Sequence, residues 1–519
     1  MTSITKTSSI YKSSAVVGFW TLCSRVLGFI RDILFASILG SGAIADAFIL
    51  AFRIPNLFRK FFAEGAFSAA FIPLLSEKNE KYGLKSGIAF TSNIASILLF
   101  IVIPLIILSE IFMPSIVNFI APGFLNDIER LELAVPYARI VFPYLVFIIF
   151  TALFASALNT SGKFWSGAAA PVLLNIFLII ALIISIYLEK DAGIIMCWAV
   201  LVAGIFQMLL LAWENFKNGL SFRISLPKID EDIKIFFKKF LPGALGSGVT
   251  QINLLVASIF ASQIPGAISW LYYSDRVAQL PLGIIGIAIG TALLPDLAKR
   301  ISLGQNKEQN LIQEKAIVLS ILFAFPSAVA LYYLSDLVVA SLFGYGAFIQ
   351  SDILATAKAL KIYAIAIPAF MMIKILSPNF FARKDTKTPV LIAAISAFLN
   401  IILTWYLMSK YGFIGIAISL CIAGYLNAIL LFAIMLNRKF YYCTKTFLII
   451  CLKIIISTIF MLLILFTLNK IFLDNILLSF KFADILKLIL FILSGLISYF
   501  LFNYFLGVKK YFSSNSISL

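Results

Sequence analysis

The chain has 519 residues, 62% of them hydrophobic and 13% charged, with a formal net charge of +17 and a mean hydropathy of +1.03. No soluble domain of this size has that composition, so the fold class read from it is an all-α polytopic membrane protein. The bases sit mostly in short connections between apolar runs, which makes the charge a topology signal and not a nucleic-acid footprint. There is no histidine, which removes imidazole bases, histidine metal ligands and histidine pH switches. Cys23, Cys197, Cys421, Cys443 and Cys451 form no CxxC pair and read as small apolar fillers. No Walker loop is present, so ATP is not the direct energy source, and no cofactor or metal is expected. The short polar start, MTSITKTSSIYKSS, is not read as a signal peptide.

Apolar runs near twenty residues predict about fourteen spans, near 15–39, 46–68, 88–113, 133–157, 167–188, 193–213, 240–262, 267–294, 315–334, 353–376, 388–409, 413–436, 447–469 and 485–507. The first two are the least lipid-like because they carry charges. Basic loops follow spans two, six, eight, ten and twelve, with Lys78, Lys81 and Lys85 in the first and Lys217, Arg223, Lys228, Lys234, Lys238 and Lys239 in the second. The opposite loops are poor in bases and relatively acidic, as at Glu110, Asp127, Glu129, Glu132, Asp336 and Asp352. The positive-inside rule therefore predicts both termini in the cytoplasm.

The sequence also repeats. GAIADAF at 42–48 aligns with GAISWLY at 266–272, Arg53 with Arg276, FIPLLSE with LLPDLAK, and the Pro171 of APV with the Pro389 of TPV, at offsets of 224, 223, 222 and 218. An offset of six spans gives both copies one orientation. The expectation is two pseudo-symmetric six-helix lobes, 1–225 and 226–440, with the substrate site at the repeat interface and a two-helix addition at 441–519.

Charges inside apolar spans mark function, since each costs at least about 2.5–3.5 kcal/mol on insertion scales. In span one, Arg25 and Asp32 are neighbours two turns apart, and Arg31 lies about 120° round from Arg25, so Gly28 is a candidate bend. In span two, Arg53, Asn56 and Lys60 form one polar stripe beside Arg59, with Pro55 freeing a carbonyl. Lys60 either joins the stripe or pairs with Glu64 one turn on, and some of these bases snorkel to the interface. Asp46 is a candidate gate, or a helix cap. In span eight, Asp275 and Arg276 stand mid-helix. Arg276 is the strongest single candidate for an anion ligand, because a planar fork suits a diphosphate through bidentate hydrogen bonds and does not deprotonate. Lys374 in span ten is a weaker one.

SRVLGFIRD (24–32), DAFILAFRIPNLFRKFFAEGAFSAAFIPLLSE (46–77), LYYSDRVAQLPLGIIGIAIGTALLPDLAK (271–299) and DTKTPV (385–390) closely resemble the MurJ (MviN) lipid II flippases of the MOP exporter superfamily. The resemblance covers essentially the whole chain. It implies an alternating-access transporter, working as a monomer in the bacterial inner membrane. Its partners would be membrane lipids and lipid II, the undecaprenyl-diphosphate-linked disaccharide pentapeptide, moved from the cytoplasmic to the periplasmic leaflet for peptidoglycan synthesis. The resemblance maps Arg25, Arg31, Asp32, Asp46, Arg59, Lys60, Glu64 and Arg276 onto the motifs of the family, whose members have a central cationic substrate cavity. With the residues read directly, the expected substrate ligands are Arg25, Arg31, Arg53, Arg59, Lys60 and Arg276, and the expected gating residues are Asp32, Asp46, Glu64 and Asp275. The Arg59–Lys60 pair is often two arginines in the family. Some members have an acidic sodium ligand in span seven, where this chain has Asn253 and no acid. The family's lipid tail is thought to follow a groove lined by the last two helices.

Three other functions compete with this reading. A MATE-like drug exporter would need acids for cationic drugs, and these helices are basic. A flippase for another undecaprenyl-diphosphate-linked oligosaccharide shares the diphosphate, so the arginines do not separate it. A membrane glycosyltransferase or phosphatase needs an acidic metal pair or a histidine base, and neither stands in the sequence.

Overall fold

The computed structural model describes residues 2–63, 66–188, 191–475 and 483–513, with the side chains of 2–14, 60–63, 66, 244–250, 252, 284, 287, 472–475 and 513 left aside. Its elements run α1 (Thr2–Leu39), α2 (Ala43–Ala63), α3 (Ala66–Tyr82), α4 (Leu84–Ile111), α5 (Met113–Ile120), a 3-10 turn (Pro122–Asn126), α6 (Ile128–Val141), α7 (Tyr144–Thr160), α8 (Trp165–Leu188) and α9 (Ala192–Lys217). They continue with α10 (Glu231–Ala261), α11 (Ala267–Pro281), a π-helical turn (Leu282–Gly286), α12 (Ile287–Ser302), α13 (Asn306–Tyr333), α14 (Ser335–Phe343), α15 (Gln350–Phe381), α16 (Lys387–Tyr411), α17 (Phe413–Asn437), α18 (Lys445–Asn475), α19 (Ala483–Phe505) and α20 (Val508–Ser513). Only helices appear among the described residues, which is what a hydrocarbon solvent demands of an open chain, since each backbone group must be satisfied within its own segment.

Among the described residues, every predicted span coincides with a helix or a broken helix. The fourth is broken at Phe142–Pro143 into α6 and α7, where proline supplies no N–H. The eighth is broken after Pro281 by the π-helical turn. Among the described residues, ten stretches are long and apolar enough to cross a membrane by length and composition. The four spans outside that set are α1, α2, α10 and α11–α12, the first two of each sequence half.

The repeat is sharper in the elements than in the residues. Leu84 and Asn306, Met113 and Ser335, Ile128 and Gln350, and Trp165 and Lys387 open matching helices, each pair 222 apart. Pro104 and Pro326 hold that spacing too. The APV/TPV match falls one turn out of step with it, because Pro389 lies two residues into α16 and Pro171 six into α8. That fourth match is therefore fortuitous, while the repeat itself stands.

The chain forms two compact units, Met1–Ser269 and Trp270–Leu519. In the first, α8 packs on α1 and α9, α2 lies against α6 and α7, and α10 lies against α3. In the second, α15 lies between α13 and α17, α16 packs on α17, and α18 contacts both α19 and α13.

Candidate substrate-binding site and gate

In the first unit, α1 carries Arg25, Arg31 and Asp32 on one uninterrupted helix. Arg25 is exposed, Arg31 half-buried and Asp32 buried. The carboxylate of Asp32 is engaged by its neighbour Arg31, not by Arg25 two turns back: Arg31 Nη2 and Nε donate to Oδ1 at 2.7 and 3.1 Å. Arg31 Nη1 donates to Asn175 Oδ1 on α8 at 2.9 Å, and Asn175 Nδ2 donates to the Ser24 carbonyl at 3.0 Å. A Cβ at Gly28 would stand 3.5 Å from that Asn175 amide, an ordinary contact. Gly28 thus sits where α8 docks, in a helix that continues through it.

On α2, the polar stripe takes shape as expected. Arg53 Nη1 donates to Ser258 Oγ of α10 at 2.5 Å. Arg59 Nε donates to Asn56 Oδ1 at 3.0 Å, and Asn56 Nδ2 to the Phe52 carbonyl at 2.9 Å. Glu64 and the Lys60 side chain lie outside the described residues.

Asp46 is fully buried, and its carboxylate does not cap its own helix. Oδ2 accepts from the Gly266 amide at 2.8 Å. Oδ1 accepts from the Ser269 amide at 3.0 Å and from Ser269 Oγ at 2.6 Å. Those are the orphan N–H groups at the start of α11, so α2 caps α11 from across the unit. Arg130, equally buried, places Nη1 3.7 Å from Asp46 Oδ2 and donates it to the Ser262 carbonyl at 2.9 Å. Its Nε donates to Asp127 Oδ2 at 2.7 Å, and its guanidinium lies 4.6 Å over the Phe124 ring. Burial pushes the Asp127 carboxyl up, but the side-chain and backbone hydrogen bonds of Arg130 and its positive charge hold it below the usual carboxylate range. A Cβ at Gly123 would come 2.3 Å from the Ser262 carbonyl oxygen, so only glycine admits this approach. Five segments are thereby tied at one point: the start of α2, the 3-10 turn, the start of α6, the end of α10 and the start of α11.

In the second unit, Arg276 is half-buried on α11 with its guanidinium 4.6 Å over the Tyr272 ring. Asp275 accepts from Gln279 one turn on. Both precede the π-helical turn, an irregularity that breaks the regular carbonyl ladder and is frequent at functional sites. Trp270, the repeat counterpart of Asp46, donates its Nε1 to Asp352 Oδ1 at 3.1 Å. Asp352 stands 222 residues after Arg130. The two halves therefore use the same pair of positions with different chemistry, Asp–Arg in one and Trp–Asp in the other.

Sequence reasoning passed over Asn175, Ser258, Ser269 and Arg130. The first three are single small polar residues in apolar runs, and only their partners distinguish them. Arg130 was legible as a base in an acidic loop and was masked by the acids around it.

Helices α1, α2, α10 and α11–α12 carry charge beside ten other stretches, among the described residues, apolar and long enough to cross a membrane, the arrangement of a polytopic helical membrane protein. A solved structure described as the inward-facing conformation of a multidrug resistance MATE family transporter of the MOP superfamily has the same fold, at a TM-score of 0.68 over 80% of this chain and 94% of that one. At 16% identity that likeness concerns the fold alone. The family described as lipid II flippase MurJ matches residues 35–487. The "Probable lipid II flippase MurJ" of Rhizobium tropici is 39% identical over 434 residues, 83% of this chain and 81% of that protein. A structure described as lipid II flippase MurJ in an inward closed conformation is 29% identical, with a TM-score of 0.80 over 95% of this chain and 98% of that one. The chain belongs to the MurJ lipid II flippase family, and so among membrane transporters and not enzymes.

Proposed function

We propose that this protein carries lipid II from the cytoplasmic to the periplasmic leaflet of a bacterial inner membrane by alternating access, with both termini cytoplasmic. Membership of the flippase family over residues 35–487 carries the reading. Asp46, Arg53, Arg59, Lys60, Glu64, Asp275 and Arg276 fall inside that stretch, and Arg25, Arg31 and Asp32 just before it. The arginines bind the diphosphate of the cargo. A guanidinium offers two parallel donors to adjacent phosphate oxygens, and its charge persists in a site of low dielectric. Arg25 and Arg276 are the first ligands, being exposed and half-buried respectively. Arg31 joins them when it exchanges Asn175 for phosphate while Asp32 keeps its orientation. The trans cap at Asp46 supports a gating role, since a buried polar tie that closes one arrangement of helices must open in another.

The test is replacement. In a host whose own flippase is depleted, this chain should restore lipid II to the outer leaflet. Accumulation in the inner leaflet despite normal membrane insertion would overturn the reading. A chain specific for another lipid-diphosphate oligosaccharide would restore that cargo alone.

A further inference from the structure

The chain passes from the first compact unit to the second between Ser269 and Trp270. The side chain of Ser269 is held within the first unit by Asp46, and that of Trp270 within the second by Asp352. From Trp270 onward, α11 has two unlike faces. At about 100° per residue, Trp270, Tyr273, Ser274 and Val277 share one side of the helix. Trp270 is half-buried and the other three are fully buried. Its indole packs on the Phe413 ring at the start of α17, with centroids 5.0 Å apart, while Nε1 donates to Asp352 Oδ1 at 3.1 Å. Asp352 is itself fixed, because its Oδ2 accepts from the Ile349 amide at 3.2 Å as the cap of α15. The Tyr273 ring lies 5.1 Å from Phe343 and 5.3 Å from Phe348. Ser274 Oγ shares its hydrogen between the Trp270 carbonyl at 2.7 Å and the Thr356 carbonyl of α15 at 2.8 Å.

The other face carries Tyr272, Asp275, Arg276 and Gln279, at the i, i+3, i+4, i+7 spacing of one helical stripe. All four are half-buried or exposed. Within it, the Arg276 guanidinium lies on the Tyr272 ring and Gln279 donates to Asp275. The direction of this stripe is set by the rotation of α11 about its own axis. A turn of roughly 20° moves a side-chain end some 5–6 Å from the axis by about 2 Å, enough to break a hydrogen bond.

Two seats bound this helix. At its far end the π-helical turn rests Leu282 and Ile285 against Ala324, Ala328, Ala364, Ile367 and Met371. That seat is apolar, and apolar contact is non-directional. At its near end the indole N–H meets a fixed carboxylate oxygen, and a hydrogen bond is directional. The first half treats the matching arginine differently: Arg53 is aimed by its own bond to Ser258 Oγ. We propose that Trp270, oriented by Asp352, is a positioning residue for Arg276. It fixes the rotation of α11 and so the direction in which the guanidinium meets the diphosphate of the cargo. This rests on the reading of Arg276 as a diphosphate ligand.

The test uses Trp270→Phe, which keeps a ring against Phe413 and has no N–H. The probe is undecaprenyl diphosphate, bound to the purified full-length protein in detergent. Trp270→Phe should weaken binding about 5-fold, as for the loss of one hydrogen bond. In an Arg276→Ala background the same substitution should weaken it no further, because the group it positions is gone. Spin labels at Leu280→Cys and Leu354→Cys, both exposed, report the setting of α11 against α15 in a background lacking the five native cysteines. Their distance distribution should be narrow in the parent and broad in Trp270→Phe. Equal weakening with and without Arg276, or an unaltered distribution, overturns the proposal. Should Trp270→Phe not fold, Asp352→Asn leaves the indole in place with a weaker, neutral acceptor and carries the same comparison. If Arg276→Ala alone binds the probe as tightly as the parent, the diphosphate-ligand reading fails, and the distance distributions still decide whether Trp270 sets α11.

Discussion

Both carboxylate oxygens of Asp46 are committed, to Gly266 on one side and to Ser269 on the other. Asparagine is therefore not a neutral replacement, because its NH₂ would face the Gly266 amide or the Ser269 donors. Asp46→Asn should lose the tie and cost about 1–3 kcal/mol, the penalty for a buried group left unsatisfied. Ser269→Ala, which leaves both backbone donors in place, should cost about 1 kcal/mol. Thermal unfolding of the purified protein in detergent measures both, and equal stability of Asp46→Asn and the parent would remove the cap from the account. For Arg276 the expected defect is transport with normal insertion. Alanine should abolish complementation and lysine restore it in part, since an ammonium lacks the planar fork. Full complementation by Arg276→Ala would rule out its part in diphosphate binding.

Short polar ties add to helix packing in joining elements here. The linker after α9 carries several charged side chains, yet its backbone lies on Ser92, Asn93 and Ser96 of α4. Ser92→Ala with Ser96→Ala removes two acceptors from backbone amides and should release the linker. Limited proteolysis should then cut within residues 220–230 at least about 10-fold faster, as expected for a loss near 1.4 kcal/mol in a locally opening segment. Gly123 is the corresponding weak point at the other tie. Gly123→Ala places a carbon against a backbone carbonyl that cannot rotate away. It should lower the midpoint of thermal unfolding and separate the 3-10 turn from Ser262, seen as faster amide exchange at Gly123 and its neighbours.

For the molecule as a whole, the excess of base over acid in the charged helices bears on energy. Moving one charge across a membrane is worth about 2.3 kcal/mol per 100 mV. With the cell interior negative, the field draws an empty cationic site back towards the cytoplasm, and a bound diphosphate relieves that pull on the outward step. Asn253 supplies no carboxylate for sodium. Membrane potential should therefore suffice to reset the transporter. Collapsing the potential in vesicles while holding the proton and sodium gradients should stop turnover. Continued flipping, or strict dependence on sodium at constant potential, would exclude this mechanism.

The spans were legible because a bilayer imposes length and apolarity on each helix separately, a property of contiguous residues. The repeat was legible for a related reason: the same helix order recurs, and GAIADAF and FIPLLSE kept enough identity to align with their second copies. Arg25, Arg31, Arg53, Arg59 and Arg276 stood out because charge is rare in such runs. What each charge touches was a different matter. Asp46 could be read as a cap or a gate, and only the fold brought Gly266 and Ser269, more than two hundred residues on, to its oxygens. Arg130 was indistinguishable from an ordinary loop charge until its burial and partners were seen. A hydrogen bond between distant residues depends on two backbones meeting within about 3 Å, and no local pattern encodes that meeting. The sequence by itself determined which helices cross the membrane and which bear charge, and the tertiary structure decided how those charges are paired.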